Sequence, residues 1–391
     1  MNPASPSQVK PAPSDIRVVQ VTIGHPVDDG RVRAKLARSF VRGGFESHLI
    51  CPGGEAGLAD DNVHIHPHEV SESRIERVRR QRGLARRAAS LMPDVVHVHE
   101  PIMLGSCVRH KGTARLVWDV HEDYETELAT RAWIPKPLRK WVWRLWDYRE
   151  RQMLKHVDLV LAATPPVARR YLPLHPNVVV IPNLTEIEIF EGDHDWAHPH
   201  AVFVGSIFES RGLLEVIEAL GRLDREGLTI PMTIAGPIES LAFEKRLLHA
   251  IETHGVAHSV KYIGPLPRLQ ALELCRQATI GVVAHRPESQ GEIAWPVKMF
   301  EYMASGLPLI YTTLGAMVYL ADGQEIGIAV EPFDIDALVE AFRRLATEPE
   351  HAKHCAAIGR KLIESRYHWN TVEPVLLAAY RKLFADDGTQ A

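Results

Sequence analysis

The sequence predicts an α/β protein of two doubly wound domains, each built on a largely parallel sheet, and three observations carry that expectation. Short runs of β-branched and aliphatic residues alternate with longer stretches of helical periodicity, as strands do when crossover helices join them. The alternation pauses over residues 181–200 and restarts at AVFVGSI (201–207). The chain, at 391 residues, is long enough for two ordinary cores.

In the first half, RVVQVTI (17–23) reads as a buried strand, followed by a turn and a helix through RVRAKLARSFVRGG (31–44). SHLICP (47–52) is the next strand and ends in the Pro-Gly-Gly turn of residues 52–54. DVVHVHEP (94–101) and LVWDVHED (116–123) are strands with polar residues at their carboxyl ends, where ligands of such sheets bind. DLVLAAT (158–164) and NVVVIPN (177–183) complete the set. The segment 181–200 is rich in turn formers and charge, has little periodicity, and reads as the linker. Beyond it, AVFVGSI runs into a Gly-containing turn and an amphipathic helix through LLEVIEALGRL (213–223). PMTIAGP (231–237), VKYIGPL (260–266), TIGVVAH (279–285), LPLIYTT (307–313) and GIAVEP (327–332) follow as strands. The last helix, TVEPVLLAAYRKLF (371–384), comes after the aromatic cluster YHW (367–369). The expected division is a leader over 1–16, a first domain over 17–182 and a second over 183–366, with 367–391 packing back on the first.

Composition is that of a soluble globular protein, 46% hydrophobic and 24% charged. The opening MNPASPSQVKPAPSD reads as a disordered leader, since it lacks the apolar stretch of a signal peptide. No apolar run approaches the roughly 18 residues that span a bilayer. Cys51, Cys107, Cys275 and Cys355 are far apart and form no CxxC pair, which argues against a disulfide framework or zinc site and for a reducing cytoplasm. Charge is unevenly spread. Residues 1–190 hold 27 Lys and Arg against 22 Asp and Glu, whereas the remainder holds 18 against 27. A basic front half invites an anionic partner.

Several stretches, in order, carry a resemblance. HPVDDGRVRAK (25–35) spaces His, Asp, Arg and Lys, and WDVHEDY (118–124) follows; VFVGSIFESRGLLEVIEAL (202–220) is a strand, glycine turn and helix. IAGP (234–237), KYIGPLPRLQALELCRQATIGVV (261–283) and PVKMFEYMASGLPLI (296–310) complete the series. Together they resemble the family 4 glycosyltransferases of the GT-B fold, over almost all of the chain after residue 16. The resemblance implies two Rossmann-like domains with a cleft between them. It also implies a retaining transferase, moving a sugar from a nucleoside diphosphate to an acceptor hydroxyl. The donor class would be hexosyl or N-acetylhexosaminyl, and the setting cell-surface polysaccharide or glycoconjugate synthesis.

On that reading Gly205, Ser206 and Arg211 hold the diphosphate at a helix N-terminus, where free N–H groups and the helix dipole favour anions. Lys298 shares the charge, the more so because Ser206 stands where a second basic residue is common. Glu301 is implied to accept both ribose hydroxyls. The family pattern has another Glu eight positions earlier; Ile293 occupies that place, so Glu292 is the catalytic candidate and Glu288 the alternative. His121 is implied to face the donor sugar, and His25, Asp29 and Arg31 to approach the acceptor, although Asp29 and Arg31 also suit a mutual ion pair. Gly24 allows close backbone approach. His99, beside Glu100 at a strand end, reads as acceptor-pocket lining. His97 and His99 share one strand face, as do His64, His66 and His68, but no Asp or Cys at useful spacing completes a metal set. No metal or other cofactor is expected; basic residues and helix dipoles serve instead.

RAWIPKPLRKWVWRLWDYRERQMLKH (131–156) mixes tryptophan with cations, and RIERVRRQRGLARR (74–87) adds seven arginines. Leu138, Trp141, Val142 and Leu145 share one helix face, suited either to a core or, with the cations and Trp143, to an anionic membrane surface. The partners expected are a nucleoside-diphosphate sugar and an acceptor glycan, lipid-linked or soluble. Peripheral contact with the inner face of the plasma membrane is a further expectation. Nucleic acid is not expected, as no reading module accompanies the charge. Two other functions use the same donor site: a nucleotide-sugar 2-epimerase, and a catalytically silent sugar-nucleotide-binding subunit.

Overall fold

The computed structural model describes residues 16–70, 73–121, 124, 134–185, 192–287 and 295–385. The chain divides into two compact units, one comprising 1–182 with 372–391 and the other 183–371.

The first unit carries β1 (Arg17–Val21), β2 (Glu46–Pro52), β3 (Gly57–Leu58), β4 (His64–His68), β5 (Val95–Val98), β6 (Arg115–Val120), β7 (Leu159–Ala162) and β8 (Val178–Val180). Their order is β3-β4-β2-β1-β5-β6-β7-β8, parallel except where β3 pairs with β4. The central strands are buried on both faces and mostly Val and Leu, interrupted by the buried polar residues Gln20, His97 and Asp119. β3 and β4 were not among the expected strands. β4 is HIHPH, whose alternating histidines do not resemble a core strand. After the short α1 (Arg38–Arg42), α2 (Arg74–Ser90) and α3 (Pro101–His110) cover part of this sheet, and α4 (Arg139–Leu154) packs on α3. A π-helical turn, Val32–Ala37, precedes α1. α2 starts where Ser73 Oγ accepts from the Glu76 N–H.

On α4, the stripe suited either to a core or to an interface is not a core face: Leu138, Trp141 and Leu145 lie exposed and Val142 is half-buried. Glu150 and Leu154 face inward instead, Glu150 because Arg170 and the Tyr171 hydroxyl satisfy its carboxylate. Trp143, expected at an interface, lies under the Arg170 guanidinium, 4.4 Å from its ring centroid.

The second unit has β9 (Ala201–Val204), β10 (Met232–Ala235), β11 (Val260–Tyr262), β12 (Ile280–Val283), β13 (Leu309–Thr312) and β14 (Gly327–Val330), ordered β11-β10-β9-β12-β13-β14 and all parallel. After α5 (Pro165–Tyr171) of the first unit, α6 (Leu213–Arg225) buries Leu213, Val216, Ile217, Leu220 and Leu223, one stripe at helical spacing. α7 (Leu241–Thr253), α8 (Arg268–Gln277), α9 (Val297–Ala304), α10 (Gly315–Ala321), α11 (Ile335–Thr347) and α12 (Pro349–Ser365) follow. The final helix, α13 (Trp369–Ala385), contains the boundary between the units. The four cysteines are free and buried.

Candidate active site

In a doubly wound sheet ligands gather where the strand order reverses, at the carboxyl ends of the two strands concerned. In the first unit these are β1 and β5, and in the second β9 and β12. The residues expected to be functional cluster beside both points.

In the first unit the cluster is built on Asp119, which is wholly buried. Arg31 holds both its carboxylate oxygens, through Nε at 2.9 Å and Nη2 at 2.6 Å, and donates from Nη1 to the Ile181 carbonyl. His121 stands two residues further along the chain, on the same face, with Nε2 2.8 Å from Asp119 Oδ2. His99 Nδ1 lies 3.3 Å and His97 Nε2 3.8 Å from that oxygen. The Tyr380 hydroxyl bonds to His97 Nδ1 at 2.6 Å. His25 caps the group: its Nδ1 donates to Asp29 Oδ2 at 3.0 Å, and its ring centroid is 5.1 Å from that of His121. Glu100 Oε1 accepts from the Ile23 and Gly24 N–H groups and so fixes the loop that carries His25.

The electrostatics follow from these contacts. Burial works against ionisation of Asp119, but Arg31 and then His121 outweigh it and hold the carboxyl well below its usual range. Burial keeps His97 and His99 neutral. Burial also acts on His25, yet Asp29, Glu100 and Asp119 together raise its pKa above the ordinary histidine value. Because a carboxylate only accepts, neutral His121 carries its proton on Nε2 and leaves Nδ1 as an acceptor.

Several expectations change here. Arg31 and His99 are buried and brace Asp119. Asp29 and Arg31 do not form a side-chain pair; Asp29 Oδ1 accepts from the backbone N–H groups of Arg31 and Val32. A carboxylate does join His97 and His99 in space: Asp119, with ligand-capable atoms of all three within 4.8 Å of one another. Arg31 and His121 already occupy its oxygens, which makes the cluster an ion-pair network. Asp119 was passed over in the sequence, although the Trp118-Asp119-Val120-His121 alternation puts it on the face of His121.

In the second unit Gly205 leaves β9 with φ 121°, Ser206 is exposed, and the chain makes a single 3-10 turn over Glu209–Arg211. Gly212 then adopts φ 71° and starts α6; a Cβ there would meet the Ala284 carbonyl at 1.8 Å. Lys298, on α9, directs its ammonium into this turn. Its Cε lies 3.6 Å from where a Gly205 side chain would begin, and Nζ sits 3.5 Å from the centroid of the Phe203 ring. Nζ is buried and has no hydrogen-bond partner. Arg211 Nη1 lies 3.1 Å from the ring nitrogens of His285. Burial, then Arg211, holds Lys298 well below the usual lysine range, with Glu301 acting the other way. Burial, then Lys298 and Arg211, does the same to His285. Glu301 is buried and accepts from Arg268 Nη1 at 3.1 Å. His285 and Arg268 were not singled out in the sequence, where each is one polar residue at a strand end or helix start. Glu292, with Glu288 and Ile293, lies outside the described residues.

Two family models match the chain: Glycosyltransferase Family 4 over residues 30–188, and Glycosyl transferases group 1 over residues 186–362. Glycogen synthase of Mycobacterium tuberculosis is 26% identical over 179 residues, 46% of this chain and 41% of the relative. D-inositol 3-phosphate glycosyltransferase of Acidothermus cellulolyticus is 30% identical over 160 residues, 40% of this chain and 34% of that protein. The chain thus spans less than half the length of these relatives. Among solved structures, sucrose-phosphate synthase from Thermosynechococcus elongatus superposes with a TM-score of 0.76 at 15% identity, covering 95% of this chain and 100% of the other. Anabaena HepE in complex with UDP and glucose gives 0.72 at 11% identity, covering 94% and 100%. Both share the fold of this chain.

Proposed function

We propose, for a chain that belongs to glycosyltransferase family 4, that it transfers a sugar from a nucleoside diphosphate to an acceptor hydroxyl with retention at the anomeric carbon. The observation that carries this reading is Lys298, a buried ammonium without a hydrogen-bond partner, beside a glycine turn and Arg211. A buried amine in that position suits an anion that supplies the missing partner. The diphosphate would sit at the turn before α6, taking N–H groups and the helix dipole as well. Charge growing on the leaving phosphate is then met by fixed cations, with no metal required. The acceptor oxygen bonds to the anomeric carbon as the carbon–phosphate-oxygen bond breaks on the same face, and the acceptor proton passes to the departing diphosphate. We assign His121 Nδ1 to the sugar side and Glu301 to the ribose. UDP is the first nucleotide to try, because the HepE structure holds it. The acceptor is a glycan hydroxyl; were it lipid-linked, the enzyme would work at a membrane surface.

The test is UDP binding by calorimetry in buffers of different ionisation enthalpy, across a pH series. Because the site holds the Lys298 pKa below its usual value and a diphosphate would raise it, binding should take up a proton over the interval between the two. Lys298→Met should abolish that uptake, and Arg211→Ala should weaken binding by at least ~1.5 kcal/mol. Unchanged affinity and no proton uptake across the nucleoside diphosphates would remove the donor-site assignment.

A further inference from the structure

Outside the candidate site, the first unit carries a second concentration of unpaired charge. Helices α2, α3 and α4 enclose a groove of about 780 Å³, lined by Arg82, Arg109, Arg149 and His156 with Gln81 and Gln152. Among the described residues no Asp or Glu lines it. α2 has seven arginines and one glutamate, so its charge is not balanced locally. The groove is a built feature. Ser106 Oγ donates to Gln81 Oε1 at 3.1 Å across its floor, and Gly105 lets α4 approach so closely that a Cβ there would meet Met153 Sδ at 3.3 Å.

Two of these helices, α2 and α4, present apolar side chains to solvent. On α4 and the turn before it, Leu138, Trp141, Leu145 and Tyr148 fall on one face at helical spacing, with Trp141 68% and Tyr148 62% exposed. That face continues into Arg149, Gln152 and His156, and Arg149 is about 6 Å further along the helix axis than Leu145. On α2, exposed Ile75 and Val78 lead in the same way to Arg82. Arg144 lies over the Trp141 ring, 5.6 Å from its centroid, so cation and aromatic are already paired. A solvated basic face would have polar residues where these apolar ones stand.

We infer that this α2–α4 face docks on the surface of an anionic membrane, the apolar stripe entering the interface while the arginine groove receives a lipid phosphate. An amphipathic helix lying in the plane of the interface needs this combination of aromatic and aliphatic residues beside arginine, and unpaired cations supply the complement to anionic headgroups. No described helix is long and apolar enough to cross the bilayer, so the contact is peripheral. The surface belongs to the first unit alone and does not depend on the donor-site reading.

The test is co-sedimentation of the full chain with vesicles of phosphatidylcholine alone or with 30 mol% phosphatidylglycerol, over a salt series. Binding is expected to the anionic vesicles and to weaken as salt rises. The triple substitution Arg82→Gln, Arg109→Gln, Arg149→Gln should lower the partition coefficient by on the order of a hundredfold at low salt, since each cation near the surface is worth about fivefold. Trp141→Ser with Leu145→Ser should remove the binding that persists in high salt. Arg211→Ala, in the other unit, should bind vesicles as the unaltered chain does, and circular dichroism confirms that each variant is folded. If inorganic phosphate protects the groove arginines from phenylglyoxal while the chain stays in the supernatant with anionic vesicles, the groove takes small anions and the membrane assignment fails. It fails equally if folded variants of both kinds sediment like the unaltered chain.

Discussion

Asp119 shows how one buried side chain sets the chemistry of several others. With Arg31 on both oxygens it is an ion pair removed from water, and such a pair holds only while both charges remain. His121 takes its tautomer from the same oxygen, and the fixed Nε2 proton leaves Nδ1 as the accepting atom. Asp119→Asn should therefore act twice. It strands the Arg31 guanidinium, lowering the stability of the first unit by about 3–5 kcal/mol. It also frees the His121 ring to turn over. Urea unfolding measures the first effect. Adding Arg31→Met should recover part of the stability, because no buried charge is then left alone, without restoring the orientation of His121. If Asp119→Asn unfolds at the same urea concentration as the unaltered chain, the pair is not the anchor proposed for this cluster.

At the scale of elements, the turn between β9 and α6 depends on backbone approach more than on side chains. Gly236, at the end of β10, has φ 143°, and a Cβ there would stand 2.0 Å from the Gly205 carbonyl oxygen. Two strand ends thus touch backbone to backbone where the proposed diphosphate binds. Gly236→Ala should cost about 2 kcal/mol or more in the stability of the second unit and displace Gly205. Thermal unfolding and UDP affinity should fall together; a loss of stability alone would mean that the phosphate turn is insensitive to its neighbour. This contact was not legible in the sequence, because IAGP shows a glycine but not what approaches it. The strands themselves were legible, since parallel strands buried on both faces are mostly apolar and bounded by turn residues. β4 was missed for the opposite reason. Its histidines pair with residues of β2, His48 Nδ1 meeting His66 Nε2 at 2.9 Å, so polar contacts do what apolar alternation does elsewhere. The α4 face stayed open between core and interface because helical spacing identifies a stripe without saying what covers it. Lys298 and Arg211 came as candidates from the family pattern, whereas the partners of Asp119, His285 and Arg268 lie far apart in the chain and needed coordinates.

Across the whole molecule, buried histidines govern how stability responds to acid. His97 and His99 in the first unit and His285 in the second are kept neutral by burial, each with its pKa below the ordinary value. In the unfolded chain they titrate near 6.5. Between that pH and their folded pKa values the unfolded state binds more protons, so stability falls as pH falls, by up to about 1.4 kcal/mol per pH unit for each such group. His66, lowered to about 4 by burial and by His48, acts in the same direction with a smaller effect because it is partly exposed. His25 acts oppositely. Its raised pKa contributes stability that is complete below about 6.5 and lost as pH rises through the folded value, so it acts above that pH and leaves the acid slope as it is. The buried carboxylate Asp119 enters later: its depressed pKa stabilises the fold above about 4 and is lost only as pH falls further. Urea midpoints should therefore decline from pH 6.5 towards 4.5, ahead of the depressed carboxylate Asp119. His285→Gln should flatten the decline, and only in the transition of the second unit, which a single tryptophan left in each unit would report separately. A midpoint that stays level from pH 7 to 4.5 would mean that these imidazoles reach water and titrate as they do in the unfolded chain.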